Sequence, residues 1–122
     1  MPDYCQVKLA SEVKLASADD PAKARAWMQK FGPTLWGSLH HYCNGLKFEQ
    51  RAKRPWVSTR ERDYNLTQAI GEYDYTLRAA RAQPAGQWFA PQIHMRKASV
   101  LTALGRAADA SRERELARVA PK

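Results

Sequence analysis

Apolar residues recur three and four positions apart along much of the chain, the spacing that places side chains on one face of an α-helix. A first stripe of this kind lies between Leu35 and about Arg54, and Pro55 ends it. Its members are Leu39, Tyr42, Cys43 and Leu46. This segment is predicted to be an amphipathic helix whose apolar face is buried.

A second stripe predicts the clearest amphipathic helix of the chain. Ser58 and Glu61 have the spacing of a capping box, in which their side chains accept hydrogen bonds from open backbone amides at a helix start. Apolar residues then follow at helical spacing up to about Arg81, at Leu66, Ile70, Tyr73 and Leu77. The helix is expected to begin after Ser58 and to pack through this stripe.

Three further helices are predicted from start and stop signals. Asp20 and Pro21 begin one that runs to residue 31, and Gly32 with Pro33 ends it. Residues 83–86 break the pattern, and helices follow over 91–104 and 107–119. No alternating strand pattern occurs, and residues 1–20 are an N-terminal segment without a clear period. The chain is therefore predicted to be all-α, with residues 21–122 forming a single domain of antiparallel helical hairpins.

Composition and charge narrow the class of protein. With 122 residues, 44% of them apolar, the chain can build one modest core. No apolar run reaches the roughly 18 residues of a membrane span, and the opening residues lack the apolar run of a signal peptide. The net charge of +8 attracts acidic partners. Basic residues are densest at Arg51, Lys53, Arg54, Arg60 and Arg62. A solvated basic surface is the favoured interpretation, and a nucleic-acid-binding module is the alternative.

Two cysteines and two adjacent histidines are the candidate chemical groups. Cys5 and Cys43 could form a disulfide that pins the N-terminal segment to a central helix, with a stabilisation of about 3 to 4 kcal/mol, or could be two buried thiols. His40, His41 and Cys43, with Cys5, could supply ligands for zinc or copper. Adjacent helical residues point about 100° apart, so His40 and His41 do not both converge with Cys43, and a metal site is disfavoured.

The favoured expectation for His40 is a structural one. A buried imidazole needs a hydrogen-bond partner, and Glu72 or Asp74 on the next helix could supply it. No orienting residue or oxyanion loop accompanies Cys43, and no phosphate-binding, zinc-ribbon or haem motif occurs in the chain. The chain is therefore expected to be non-enzymatic and to use no cofactor.

The last two predicted helices resemble a tetratricopeptide repeat (TPR). With Ala98 at the small eighth position of the roughly 34-residue motif, Leu101, Ala110 and Ala117 fall where the family prefers large, small and small residues. A broken second copy is carried by Trp36, Leu39, Cys43, Ala69 and Tyr73, with an insertion between its halves. His40, Lys97 and Arg114 depart from the family pattern. The resemblance spans about residues 34–120 and implies a divergent TPR-like array of about two repeats with an N-terminal helix.

The TPR resemblance also implies a function. In this family the first helix of each pair lines a groove that binds a peptide or helix, which makes the groove candidates His41, Asn44, Gln92, Met95, Ser99 and Thr102. The expected function is therefore a protein–protein interaction. Two repeats are fewer than an independent solenoid needs, so either the first helix caps the array or two chains pair as a homodimer.

Segments 39–46, 69–75 and 104–106 also resemble a group of uncharacterised short bacterial TPR-like proteins. In that group an N-terminal cysteine similar to Cys5 occurs, usually after a secretion signal. This resemblance implies a periplasmic or cell-envelope setting, with the cytoplasm as the alternative. It also implies a disulfide between Cys5 and Cys43.

Overall fold

The computed structural model describes residues 1–13 and 21–119, and this part of the chain is helical throughout, without strands. Its six α-helices are, in chain order, α1 Asp3–Val13, α2 Pro21–Phe31, α3 Pro33–Ala52, α4 Thr59–Ala82, α5 Ala90–Ala103 and α6 Ala107–Val119. A 3₁₀ segment, Pro84–Phe89, joins α4 to α5. The predicted all-α class is confirmed, and the five predicted helices occur within two residues of their expected bounds.

Local signals set the helix ends. The Ser58 hydroxyl accepts a hydrogen bond from the backbone amide of Glu61 at 3.1 Å, which caps the start of α4. Gly105 has a φ of +79° in the turn between α5 and α6, a left-handed conformation that glycine adopts at little cost. The backbone amide of Arg106 then donates to the carbonyl of Leu101 at 2.8 Å, so α5 ends in a tight turn that sends α6 back along it.

Helix α1 is not indicated by the apolar pattern, because a lysine lies on its buried face. Cys5, Val7 and Ala10 are buried, and Lys8 between them is only 6% exposed. The Lys8 ammonium lies 5.2 Å from the centre of the Trp36 ring, a cation–π contact that compensates part of its desolvation. The N-terminal segment therefore contributes a helix to the common core.

The Cys5–Cys43 disulfide joins α1 to the middle of α3. Its two Cα atoms are 5.6 Å apart, within the range that disulfides require. This pairing is the one implied by the resemblance to the bacterial group. Cys43 and Trp36, both aligned with the broken repeat copy, contact α1 through this bond and through Lys8.

Helix α3 lies at the centre of the core. Gly45 of α3 faces the ring of Tyr73, which is fully buried on α4, so these helices approach closely at a position where any side chain would collide. In the other hairpin Ala98, Leu101 and Ala110 form a small apolar cluster between α5 and α6. Small residues at both contacts let paired helices approach closely, as expected for antiparallel hairpins.

Candidate protein-binding site

One face of α5 points away from the core. Ile93, Val100 and Leu101 are buried on one side of this helix. The groove candidates Gln92, Met95, Ser99 and Thr102 are all exposed and follow one another three or four residues apart. We call these four residues the α5 strip. The Met95 side chain, 49% exposed, is its large apolar member.

Helices α3 and α6 border the α5 strip. The Gln92 side-chain amide donates to the hydroxyl of Tyr42 on α3 at 3.3 Å. At the other end, the guanidinium of Arg114 on α6 donates to the hydroxyl of Thr102 at 2.9 Å. The strip is therefore held between two neighbouring helices, and its end residues have fixed side-chain positions.

The structure places His41 and Asn44 away from the α5 strip. The Tyr42–Gln92 hydrogen bond marks the side of α3 that faces α5. His41 lies about 100° around the helix from Tyr42, and Asn44 lies about 200° around it. The six residues expected to line one groove are thus divided between two surfaces, and only the four on α5 lie together.

His41 instead contacts α4. Its Nδ1 atom lies 2.7 Å from a carboxylate oxygen of Glu72, and its ring stacks on Tyr75 with centroids 3.8 Å apart. The histidine expected to meet Glu72 or Asp74 was His40, but the imidazole that reaches Glu72 is that of His41. The two are adjacent on α3, and the helix turns His41 toward α4.

A pocket of about 290 Å³ adjoins the α5 strip between the end of α3, the start of α4 and the end of α5. Its apolar walls are formed by Ala52, Leu66, Val100 and Ala103. Polar groups of Lys53, Arg62 and Ser99 also line it. Since Ser99 belongs to the strip as well, the strip and the pocket form one continuous surface.

A buried ion pair lies beside the pocket. Glu49, which is 4% exposed, accepts hydrogen bonds from the Arg96 guanidinium at 2.9 and 3.2 Å and from the Tyr73 hydroxyl. Burial and the Glu49 charge raise the pKa of Tyr73, so its hydroxyl stays a donor. Burial lowers the pKa of Arg96, but attraction to Glu49 more than offsets this and raises it overall. Arg96 therefore stays charged, and these contacts of Glu49 link α3, α4 and α5.

A second buried network surrounds His94, which is 1% exposed on α5. The Arg81 guanidinium lies 2.7 Å from Nε2 of His94, and Nδ1 lies 2.6 Å from a Glu113 oxygen. A guanidinium can only donate, so Nε2 accepts and the ring proton lies on Nδ1, which donates to Glu113. These contacts hold the imidazole between α4 and α6 and engage both of its nitrogens.

Lys97 extends the His94 network. Its ammonium lies 2.8 Å from Glu113 and 2.7 Å from Asp74. Burial raises the pKa of Glu113, but hydrogen bonds from Lys97 and His94 lower it overall. Burial likewise lowers the pKa of Lys97, while its bonds to Asp74 and Glu113 raise it overall. These charged contacts hold α6 against α4 and α5.

The candidate metal ligands are not assembled by the fold. The sulfur of Cys43 is bonded to Cys5, so neither cysteine offers a thiolate. Within the described part of the chain, no group of three or more histidine, cysteine or acidic residues could hold a metal ion. The ligand set His40, His41 and Cys43 therefore lacks its sulfur member.

The basic residues singled out by sequence cluster around the turn between α3 and α4. Arg62 turns toward α5, where its guanidinium donates to the carbonyl of Ala103 at 2.5 Å. Arg54 lies over the ring of Trp56, with 5.9 Å to the ring centre, and Trp56 is 77% exposed. The turn thus presents basic groups and one exposed aromatic ring beside the pocket.

Comparisons with known proteins provide no relative. No family model, no curated protein and no solved structure matches the chain. In residues 1–13 and 21–119, none of the helices has the length and apolar character needed to cross a membrane.

Of the features beside the strip, only the burial of Glu49 has a signal in the sequence, and that signal is weak. Glu49 continues the spacing of the α3 apolar stripe, three residues after Leu46, and a charged residue at such a position could have indicated a buried pair. Arg96 gives no comparable signal, because only the fold brings it to Glu49. The pocket likewise forms only where α5 packs against the adjoining ends of α3 and α4, which are distant from α5 in sequence.

Proposed function

We propose that this chain is a non-enzymatic interaction module that binds a peptide or a helix of another protein along the α5 strip. The observation that carries this proposal is the continuity of the strip with the pocket. An exposed methionine beside a pocket with apolar walls offers an anchoring contact, and the polar members of the strip can hydrogen bond to the bound segment.

Two further features support this proposal over a catalytic function. The buried Glu49 and His94 bond to Arg96 and Glu113, which are partly buried. They hold α5 in place and so make the strip rigid, which lowers the entropy lost on binding. The resemblance to TPR proteins, in which a helical groove binds peptides, agrees with this assignment.

The proposed setting is the periplasm or cell envelope. A structural disulfide persists in oxidising compartments and is rare in reducing ones, so the Cys5–Cys43 bond supports this location. Homodimer formation remains part of the proposal, since two repeats of the TPR type are fewer than an independent solenoid needs.

The experiment is selection of binding peptides from a random display library against the oxidised protein. Selected peptides are then titrated against wild type, Met95→Glu and Tyr64→Glu. Tyr64 is a matched control because it is also a large exposed side chain, 61% accessible, but lies on α4 outside the strip. We expect Met95→Glu to weaken binding at least about tenfold, because a charge replaces the apolar anchor.

The proposal is wrong if selected peptides bind Met95→Glu as tightly as wild type, or if Tyr64→Glu has the larger effect. Circular dichroism of both variants confirms that the comparison is between folded proteins.

A second candidate function, nucleic-acid binding, is favoured by one observation. The basic residues and the exposed Trp56 lie together around a single turn, and aromatic rings flanked by cations can stack bases. Its test is binding to a single-stranded oligonucleotide, which should weaken steeply with salt.

A further inference from the structure

Positive charge without a carboxylate partner is concentrated at the turn between α3 and α4. Four exposed residues there have no acidic group within ion-pair distance in the described part of the chain, namely Arg51, Lys53, Arg54 and Arg60. We call these four the basic turn. Arg51 and Arg54 lie over the rings of Phe48 and Trp56, contacts that leave the guanidinium edges accessible.

The cations of α5 and α6 differ from those of the basic turn, because most have acidic partners. Arg96 pairs with Glu49, and Lys97 pairs with two carboxylates. Three more arginines pair within α6 or at its start: Arg106, Arg112 and Arg118. The net charge of +8 is therefore distributed unevenly over the surface. The end of the molecule that carries the basic turn is therefore more attractive to anions than the surface of α5 and α6.

The pocket opens at the edge of the basic turn. Lys53 belongs to both, and Arg62, a second cation of the pocket lining, is paired with Asp63 at 3.4 Å. Glu49 is the one carboxylate among the described lining residues, and Arg96 neutralises it. An approaching ligand therefore meets net positive charge at the pocket before it meets the apolar walls.

The pocket has the size and walls for one apolar side chain. Its volume of about 290 Å³ is at the small end of the range of ligand sites. Ala52, Leu66 and Val100 offer only aliphatic carbon to an inserted group. A leucine-like side chain has no polar atom that burial against these walls would deprive of a hydrogen bond, whereas each polar edge atom of a nucleobase would need a partner.

We propose that the bound segment is an acidic peptide that anchors one aliphatic side chain in the pocket while its carboxylates contact the basic turn. This rests on the proposed function and specifies its ligand. Lys53 is the discriminating residue, since its free charge lies at the pocket. The α5 strip then contacts the residues of the peptide that flank the anchor.

The experiment uses four fluorescent probes on the full oxidised chain at physiological salt. Three are short peptide pools with fixed central residues, namely Glu-Glu-X-Leu, Glu-Glu-X-Ser and Lys-Lys-X-Leu, and the fourth is an oligothymidine. Binding is measured by fluorescence anisotropy. We expect the Glu-Glu-X-Leu pool to bind at least about tenfold more tightly than either other pool, because only it satisfies both the charge and the apolar pocket.

Three variants separate the contribution of the basic charge from that of the apolar pocket. Lys53→Glu should weaken the Glu-Glu-X-Leu pool about fivefold through charge reversal at an exposed site. Lys47→Glu is its control, the same change at a lysine of α3 that is outside the pocket lining, and should change affinity less than about twofold. Ala103→Leu fills the pocket, and should remove most of the preference for Leu over Ser.

The outcomes distinguish the inference from the proposed function. Equal binding of the Lys-Lys-X-Leu and Glu-Glu-X-Leu pools, both weakened by Met95→Glu, would overturn the acidic ligand and leave the interaction module intact. Failure of every peptide pool would overturn both. Oligothymidine binding that exceeds peptide binding and ignores Ala103→Leu would assign the basic turn to nucleic acid.

Discussion

The substitution Gly45→Ala tests the close contact between α3 and α4. A Cβ atom at this position would lie 2.5 Å from Cε1 of Tyr73 and 2.9 Å from two more ring atoms. The ring has little room to move, because Tyr73 is fully buried and its hydroxyl is bonded to Glu49. Overpacking costs about 1 to 3 kcal/mol, and the upper end applies here because three atoms collide.

The higher helix propensity of alanine opposes this loss in the free energy of unfolding. Alanine is favoured over glycine within a helix by about 1 kcal/mol, which leaves a net loss near 2 kcal/mol. For a domain of this size, the melting temperature should fall by roughly 8 °C. Urea unfolding followed by far-UV circular dichroism measures the free energy directly, and the thermal midpoint gives an independent value.

Gly37→Ala is the matched control, because it is the same change on the same helix. No atom lies within 4 Å of the Cβ that would be added at Gly37, so this variant should gain up to about 1 kcal/mol. The reasoning is refuted if Gly45→Ala is as stable as wild type, or if both variants shift stability in the same direction by similar amounts.

Two further predictions concern the disulfide and the charged network. Reducing Cys5–Cys43, which spans 38 positions of sequence, should lower the free energy of unfolding by about 4 kcal/mol; equal urea midpoints of the oxidised and reduced protein would contradict this. Because the folded-state pKa of Glu113 is lowered, its contribution to stability should be complete above about pH 5 and should disappear as the pH falls through the folded pKa. Urea midpoints of wild type and Glu113→Gln should therefore converge in acid, and parallel pH profiles would show that Glu113 is not responsible.

Helix positions could be predicted from the sequence because their signals are local. The stripe of Leu66, Ile70, Tyr73 and Leu77, and the cap at Ser58, depend on residues within a few turns of one another. The exposed face of α5 follows from the same helical period. For α1 the local signal fails, since Lys8 lies on the buried face and its contact, Trp36, belongs to another helix.

The site could be predicted only in part, because a helix period gives the face of one helix but not its orientation toward another. Gln92, Met95, Ser99 and Thr102 share a surface since they belong to one helix. His41 and Asn44 were assigned to that surface by alignment with a repeat, which assumes a particular rotation of α3. The actual rotation of α3 is set by the packing of Gly45 against Tyr73 and by the disulfide between Cys43 and Cys5.

The sequence by itself therefore determined the helical class and the bounds of five helices, which arise from local spacing and local hydrogen bonds. Tertiary structure alone decided the burial of Glu49 beside Arg96, the hydrogen bonds of both His94 nitrogens and the pocket beside Lys53. Each of these depends on groups brought together from separate helices, and the distances between such groups are set by packing of the whole core.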